Sequence, residues 1–294
     1  MIRLVRATLA GFLAALAASP ALAQSIDLGR GEIPLTVPER YDPNVPTPLI
    51  VALHGYTSSG DVIDRAWGIS EIADAYNVLT IAPDGMREPG GDENPYWNAT
   101  DACCNFYGTD VDDSGYLRGI IDAVKAEYNV DPARVYVIGH SNGGFMSFRM
   151  AYEHSDAVAA IVSLAGANHM EQRDPPPHPV HILQIHGTDD ATILYRGGDI
   201  QDNRYPGAVG SVMRWARYNG CDMDRNSREM RDLDASMPGH ETGVMKFNTG
   251  CRDGGSAELW TISDGAHSPV YSETWAEQIV EWLLAHPKPA HAVR

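Results

Sequence analysis

Arg134-Val135-Tyr136-Val137-Ile138-Gly139-His140-Ser141-Asn142-Gly143 is the stretch on which the fold of this chain turns. Its first five residues read as a buried strand, and residues 144–152 read as a helix. Between them, Gly139-His140-Ser141-Asn142-Gly143 fits G-x-S-x-G. Strand, tight turn and helix is the setting in which that pattern presents a nucleophilic serine. The strained turn lifts the hydroxyl clear of the sheet, and the helix points its positive N-terminus at the reacting atoms. Glycine on either side lets the two backbones pass close together.

Outward from this point the chain alternates two periodicities. Residues 49–53, 78–82, 135–138, 159–164 and 180–185 are short, non-alternating apolar runs, as strands covered on both faces require. Helical spacing lies between them, at Ile69, Ile72, Ala73 and Tyr76, and at Leu117, Ile120, Ile121, Val124 and Tyr128. It returns at Val209, Val212, Met213 and Ala216, and at Ile279, Val280, Leu283 and Leu284. This predicts an α/β fold, a mostly parallel, doubly wound sheet with helices on both faces, in one domain over residues 24–294. Residues 86–110 read as a long irregular segment, and residues 174–179 as a stiff proline-rich connection.

A serine nucleophile needs a base and an orienting acid, which in such a sheet follow in the order Ser, Asp or Glu, His. The strand at 180–185 runs into His186-Gly187-Thr188-Asp189-Asp190, so both carboxylates sit on the rim that carries Ser141. Residues 260–262 form a further short strand, and His267 follows in the loop before the last helix, where the base belongs. Asp264 is too close in sequence to orient His267. His54 and His186, each before a glycine at a strand end, read as structural. His140, inside the elbow, is expected to face away from the reacting atoms. The oxyanion hole needs two backbone N–H donors. Asn142 supplies one and the loop His54-Gly55-Tyr56-Thr57 the other, with Tyr56 favoured. Tyr56, Trp97 and His140 are the candidate pocket residues. Asp110, Asp112 and Asp113 read as an N-terminal cap for the helix that follows.

Arg3 and Arg6, an apolar run at 9–18 and Ala21-Leu22-Ala23 predict a signal peptide over residues 1–23, and hence a secreted or periplasmic protein without a membrane span. A formal net charge of −17 excludes nucleic acid and anionic membrane as natural partners. With four cysteines, an exported chain suggests disulfides. Cys221, after a helix, and Cys251, before a strand, are the expected pair. The adjacent Cys103 and Cys104 are left free, vicinally bonded or paired elsewhere. No metal-ligand spacing accompanies them, so no metal is expected.

Several segments taken together resemble one family. They are Leu53-His54-Gly55, Ala102-Cys103-Cys104, Val111-Asp112-Asp113, residues 131–136, Gly139-His140-Ser141-Asn142-Gly143-Gly144, His186-Gly187-Thr188-Asp189-Asp190 and Asn219-Gly220-Cys221. The chain is similar, over about residues 30–285, to the esterase family of polyhydroxybutyrate depolymerases and feruloyl or acetylxylan esterases. The resemblance implies an α/β-hydrolase fold and a cofactor-free serine esterase acting on feruloyl or acetyl esters of plant polysaccharide, or on a polyester. It also implies that the acid is Asp190. Two departures bear on specificity. After the base this chain reads Ser268-Pro269-Val270 where the family has G-H-x-W-P-G, and the loop Ala191-Thr192-Ile193-Leu194-Tyr195 lacks the family's frequent proline.

Overall fold

The computed structural model describes residues 24–90, 93–224 and 227–289; the expected signal peptide lies outside them. The chain opens with β1 (Ser25–Asp27), β2 (Glu32–Thr36) and β3 (Thr47–Leu53), then α1 (Gly60–Trp67), α2 (Ala73–Tyr76) and β4 (Leu79–Ile81). A small hairpin of β5 (Met86–Arg87) and β6 (Pro95–Tyr96) precedes α3 (Asp113–Glu127), β7 (Val130–His140), α4 (Asn142–Glu153) and β8 (Ala160–Leu164). β9 (His181–Gly187), a second hairpin of β10 (Gly197–Ile200) and β11 (Asn203–Pro206), and α5 (Ala208–Tyr218) follow. β12 (Met230–Arg231), β13 (Thr242–Phe247), β14 (Ser256–Ile262) and α6 (Trp275–Leu284) complete the described chain.

The main sheet has the order β1-β2-β4-β3-β7-β8-β9-β14-β13-β12. Strands β4, β3, β7, β8, β9 and β14 are parallel, and antiparallel strands close both edges. The expected runs are this parallel centre. Successive side chains of a strand point to opposite faces. In β3, Leu49, Val51 and Leu53 therefore join one core layer while Ile50 and Ala52 join the other. In β7, Val135 and Val137 part from Tyr136 and Ile138 in the same way. Helices α3, α4 and α5 cover the first face, and α1 and α6 cover the second.

After β3 the chain moves outward to β4 and then returns to place β7 on the other side of β3. The direction of winding reverses there, and the loops after β3 and β7 diverge to leave a crevice at the strands' carboxyl ends. The loops after β9 and β14 reach the same edge, because Gly187 pairs with Ile262 in register.

Two readings of local structure change. The helical spacing at residues 69–76 does not form one helix. α1 lies earlier, capped by the Ser59 side chain, which accepts from Val62 N–H at 3.3 Å, and stopped by Gly68 at φ 65°. Ile69 is fully buried from the following turn, where Ser70 donates through N–H and Oγ to the Asp64 carboxylate. The segment expected to be irregular contains the β5–β6 hairpin. Asp112 caps α3, accepting from Gly115 N–H at 2.8 Å, and buried Asp113 pairs with Arg30 at 2.5 Å.

Cys221 and Cys251 form a disulfide, as expected, and Cys103 is bonded to Cys104. The former ties the end of α5 to the segment before β14 across 30 residues of sequence. Cross-linking a loop of that length stabilises by about 3.6 kcal/mol in the chain-entropy account. Replacing both Cys221 and Cys251 by alanine is expected to lower the denaturation free energy by about that amount. An unchanged midpoint in chemical denaturation would contradict it.

Candidate active site

Ser141 stands at the turn from β7 to α4 with φ 54° and ψ −117°. Such a conformation costs a non-glycine residue on the order of 1–3 kcal/mol and persists only where its surroundings enforce it. Here Ser141 N–H donates to the Leu164 carbonyl of β8 at 2.8 Å, and the Ser141 carbonyl accepts from Phe145 N–H at 3.0 Å. The flanking glycines are needed for close approach. A Cβ on Gly139 would stand 2.3 Å from the Gly143 carbonyl oxygen, and one on Gly143 would stand 2.1 Å from that of Leu53.

Asn142 opens α4, so its backbone N–H has no partner within the helix. Its side chain is engaged elsewhere. Oδ1 accepts from Trp97 N–H at 2.7 Å, and Nδ2 donates to the Trp97 carbonyl at 2.9 Å. The clamp fixes the helix start against the segment that follows β6.

The loop after β3 is held from the same side. Gly85 N–H donates to His54 Nε2 at 2.9 Å, and Trp97 Nε1–H donates to the His54 carbonyl at 3.1 Å. Thr57 N–H donates to the Pro95 carbonyl at 2.9 Å. The Tyr56 hydroxyl donates to Glu88, which is 4% exposed and also receives Asn94 Nδ2 at 3.2 Å. Burial, with Glu88 beside it, pushes the Tyr56 hydroxyl up to about 12, so it stays protonated and remains a donor.

His267 and Asp190 meet across 77 residues of sequence, with His267 Nδ1 2.8 Å from Asp190 Oδ2. Asp190 is 3% exposed. Its Oδ1 accepts the N–H groups of Thr192 and Ile193, each at 2.8 Å. Burial works against its charge. Hydrogen bonds from His186 and His267 outweigh that effect and hold the carboxyl well below the usual carboxylate range. Asp189, by contrast, is exposed, and its N–H donates to the Gly265 carbonyl at 3.0 Å.

Ser141 and His267 border one cleft of about 480 Å³. Its walls are Gly55, Tyr56 and Ser58 from the loop after β3, Val62, Ile63 and Ala66 from α1, Thr192 after β9, and Ser268 and Tyr271 beyond β14. No Asp, Glu, Lys or Arg side chain is among these. Tyr271 is braced from behind, accepting from Trp67 Nε1–H at 3.1 Å and packing on Trp275 at 4.6 Å between ring centroids.

Tyr56 borders the cleft, but two other expectations change. Trp97 is 0% exposed and packs on His54 at 5.1 Å, so it braces the loop and does not line the cleft. His140 does not face away. It borders the cleft with its ring 4.9 Å from that of His267, and its Nε2 lies 3.0 Å from the His267 carbonyl and 3.3 Å from Ser268 Oγ. Burial, reinforced by the His267 ring, pushes His140 down to about 4. The α1 wall was missed in sequence, although Ser59, Asp61 and Gly68 carry the capping signals that mark it. Tyr271 and Glu88 had no local signal, because Trp67 and Tyr56 lie far away in the chain, and His186 reads only as structural in sequence although Gln184 and Asp190 are its near neighbours. Among the described residues no group of His, Cys, Asp and Glu is placed to hold a metal ion.

A family described as "Putative esterase" matches residues 30–231. Feruloyl esterase B of Piromyces equi is 27% identical over 230 residues, which is 75% of this chain and 39% of that protein. Poly(3-hydroxyalkanoate) depolymerase C of Paucimonas lemoignei is 29% identical over 124 residues, covering 40% of this chain and 28% of its own length. The chain thus spans well under half of each of these curated relatives. Among solved structures, an acetyl xylan esterase from Aspergillus awamori matches with a TM-score of 0.58 and 15% identity, over 86% of this chain and 93% of that one. At that identity the likeness shows the fold alone, and the fold is that of the α/β hydrolases.

The buried histidines make stability depend on pH. Burial lowers His140 and His169 to about 4 and His181 to about 3, against an ordinary value of 6.5. As pH falls below that value, the unfolded chain takes up protons that the folded chain refuses, so stability declines. Asp190, with its folded value depressed, adds a loss in the same direction only below about pH 4. Denaturation series between pH 7 and 4.5 are expected to show the decline. His140→Asn should flatten the slope by up to about 1.4 kcal/mol per pH unit. An equal slope in that variant would remove His140 from the account.

Proposed function

The chain belongs to the esterase family, and we propose that it hydrolyses carboxylic esters through an acyl-enzyme formed on Ser141. The observation that carries this reading is the meeting, at one cleft, of the strained Ser141 turn with His267, itself held by the buried carboxylate of Asp190. His267 takes the proton of Ser141 Oγ as that oxygen attacks the ester carbonyl. The oxyanion is received by the N–H groups of Asn142 and Tyr56. His267 then protonates the leaving alcohol, and water releases the acyl group by the same route. Asp190 keeps the His267 proton on Nδ1 and supports the charge of the imidazolium. No cofactor enters these steps.

The uncharged, largely carbon-lined cleft favours an uncharged ester. Feruloyl or acetyl esters of plant polysaccharide are the proposed substrates. A polyester is the second reading, favoured by the apolar wall of Val62, Ile63 and Ala66. The leader pattern at residues 1–23 and the two disulfides support an exported protein, extracellular or periplasmic.

Hydrolysis of p-nitrophenyl acetate is expected from the wild type and not from Ser141→Ala. Asp190→Asn should lower turnover about 10⁴-fold, and Asp189→Asn should leave it near wild type. Equal losses from the two aspartate variants would refute the assignment of the acid. Methyl ferulate, acetylated xylan, polyhydroxybutyrate and a peptide amide, compared by kcat/KM, then decide the substrate. Dominant turnover of the polymer or the amide would displace the plant-ester reading. Tyr271→Ala, which opens the cleft toward Trp67 and Trp275, should raise kcat/KM for longer acyl chains relative to acetate. The same chain-length preference as wild type would show that Tyr271 does not bound the acyl site.

A further inference from the structure

His186 takes no part in the steps above, yet it is 1% exposed and lies against the proposed acid. Its Nε2 is 3.2 Å from Asp190 Oδ2, the oxygen that also faces His267 Nδ1 at 2.8 Å. The position of its proton follows from the neighbours. Gln184 Nε2 donates to the Gly166 carbonyl at 2.9 Å and stands 3.0 Å from His186 Nδ1. An amide nitrogen only donates, so Nδ1 accepts there and the ring proton is on Nε2. That N–H faces two acceptors, the Ile193 carbonyl at 2.8 Å and Asp190 Oδ2. Reversing the Gln184 amide would set its oxygen against the Gly166 carbonyl, which has no proton to give. A single backbone carbonyl therefore orients Gln184, and Gln184 selects the tautomer of His186.

We propose that Gln184 and His186 form a buried relay that positions Asp190 and limits how strongly it holds the proton of His267. The proposal rests on the reading of Asp190 as acid and His267 as base, and it makes His186 a positioning residue. The two amides on Oδ1 set the plane of the carboxylate. On Oδ2 the carboxylate's charge is divided between two ring N–H donors. As His267 becomes an imidazolium, its bond to Oδ2 strengthens, and the share already taken by His186 caps that gain. A carboxylate freed of His186 would stabilise the imidazolium more, and the base would lose its proton only at higher pH.

Other titratable groups stand around the pair. His140 comes from the end of β7, and Tyr195 packs edge-on against His186 at 5.7 Å. Tyr205 of β11 feels the charge of Asp190. The exposed Asp189 and Asp264 lie in the loops after β9 and β14. None of these but His267 is hydrogen-bonded to Oδ2 alongside His186, so the effect of removing His186 is distinguishable from theirs.

The test pairs His186→Leu with His186→Gln, whose amide can return a donor to the same oxygen. Both are assayed for kcat and kcat/KM against pH with p-nitrophenyl acetate. In His186→Leu the acid limb of kcat/KM is expected to move up by roughly half to one pH unit, with kcat reduced and KM little changed. His186→Gln should bring the limb back toward wild type. Nitrogen-15 NMR of the wild-type protein should find the His186 proton on Nε2, and this readout needs no variant to fold. An acid limb that stays in place or moves down in folded His186→Leu, or a proton on Nδ1, overturns the proposal. If Asp190→Asn retains wild-type turnover, it is the triad reading that fails instead.

Discussion

Ser141 cannot relax. Its left-handed backbone is pinned by β8 on one side and by the first turn of α4 on the other, and glycines at 139 and 143 keep side chains out of the space it needs. The rest of the site takes its position from this turn. The Leu53 carbonyl touches Gly143, so the end of β3 is brought to the start of α4. The loop after β3 therefore passes beside Ser141, with Gly55 against its side chain. The reversal of strand order between β3 and β7 creates the crevice, and the strained turn fixes what projects into it.

A second layer of order comes from outside the sheet. The β5–β6 hairpin and Trp97 make a scaffold to which three pieces of the site are tied separately: His54 through two hydrogen bonds, Thr57 and Tyr56 through Pro95 and Glu88, and Asn142 through both polar groups of the Trp97 backbone. Each buried polar group in this cluster would cost about 1–3 kcal/mol if left unpaired. Pairing them with one another makes any displacement of the loop or of the helix start expensive. The loop and the helix start are thereby held in fixed relation to each other.

Charge is distributed with similar economy. The chain is strongly acidic, yet no carboxylate lines the cleft, and the carboxylate nearest the chemistry is enclosed and surrounded by donors. Asp190 receives two amides and two ring nitrogens, so it remains ionised despite burial. His140, next to His267, is kept uncharged by its own burial.

Much of this is written locally in the chain. The apolar runs at 49–53, 135–138 and 180–185, the G-x-S-x-G turn and the order Ser141, Asp190, His267 are patterns of near neighbours, governed by strand and helix periodicity and by what a tight turn tolerates. The sequence by itself therefore determined the layered fold and the candidate triad. It misled where two local signals competed. The spacing at residues 69–76 is helical, but the caps at Ser59 and Gly68 place the helix earlier, and the wall of the cleft comes with it. Only the tertiary structure decided which face each ring presents. Trp97 turns inward because His54 and Asn142 need its backbone and indole. His140 turns toward His267 because the loop after β14 folds over it. His186 reaches Asp190 because Gly166, 20 residues earlier in sequence, orients the amide between them. Periodicity is a property of neighbours in sequence, but the direction and protonation of a buried polar side chain are set by whichever distant groups must be hydrogen-bonded when water is gone.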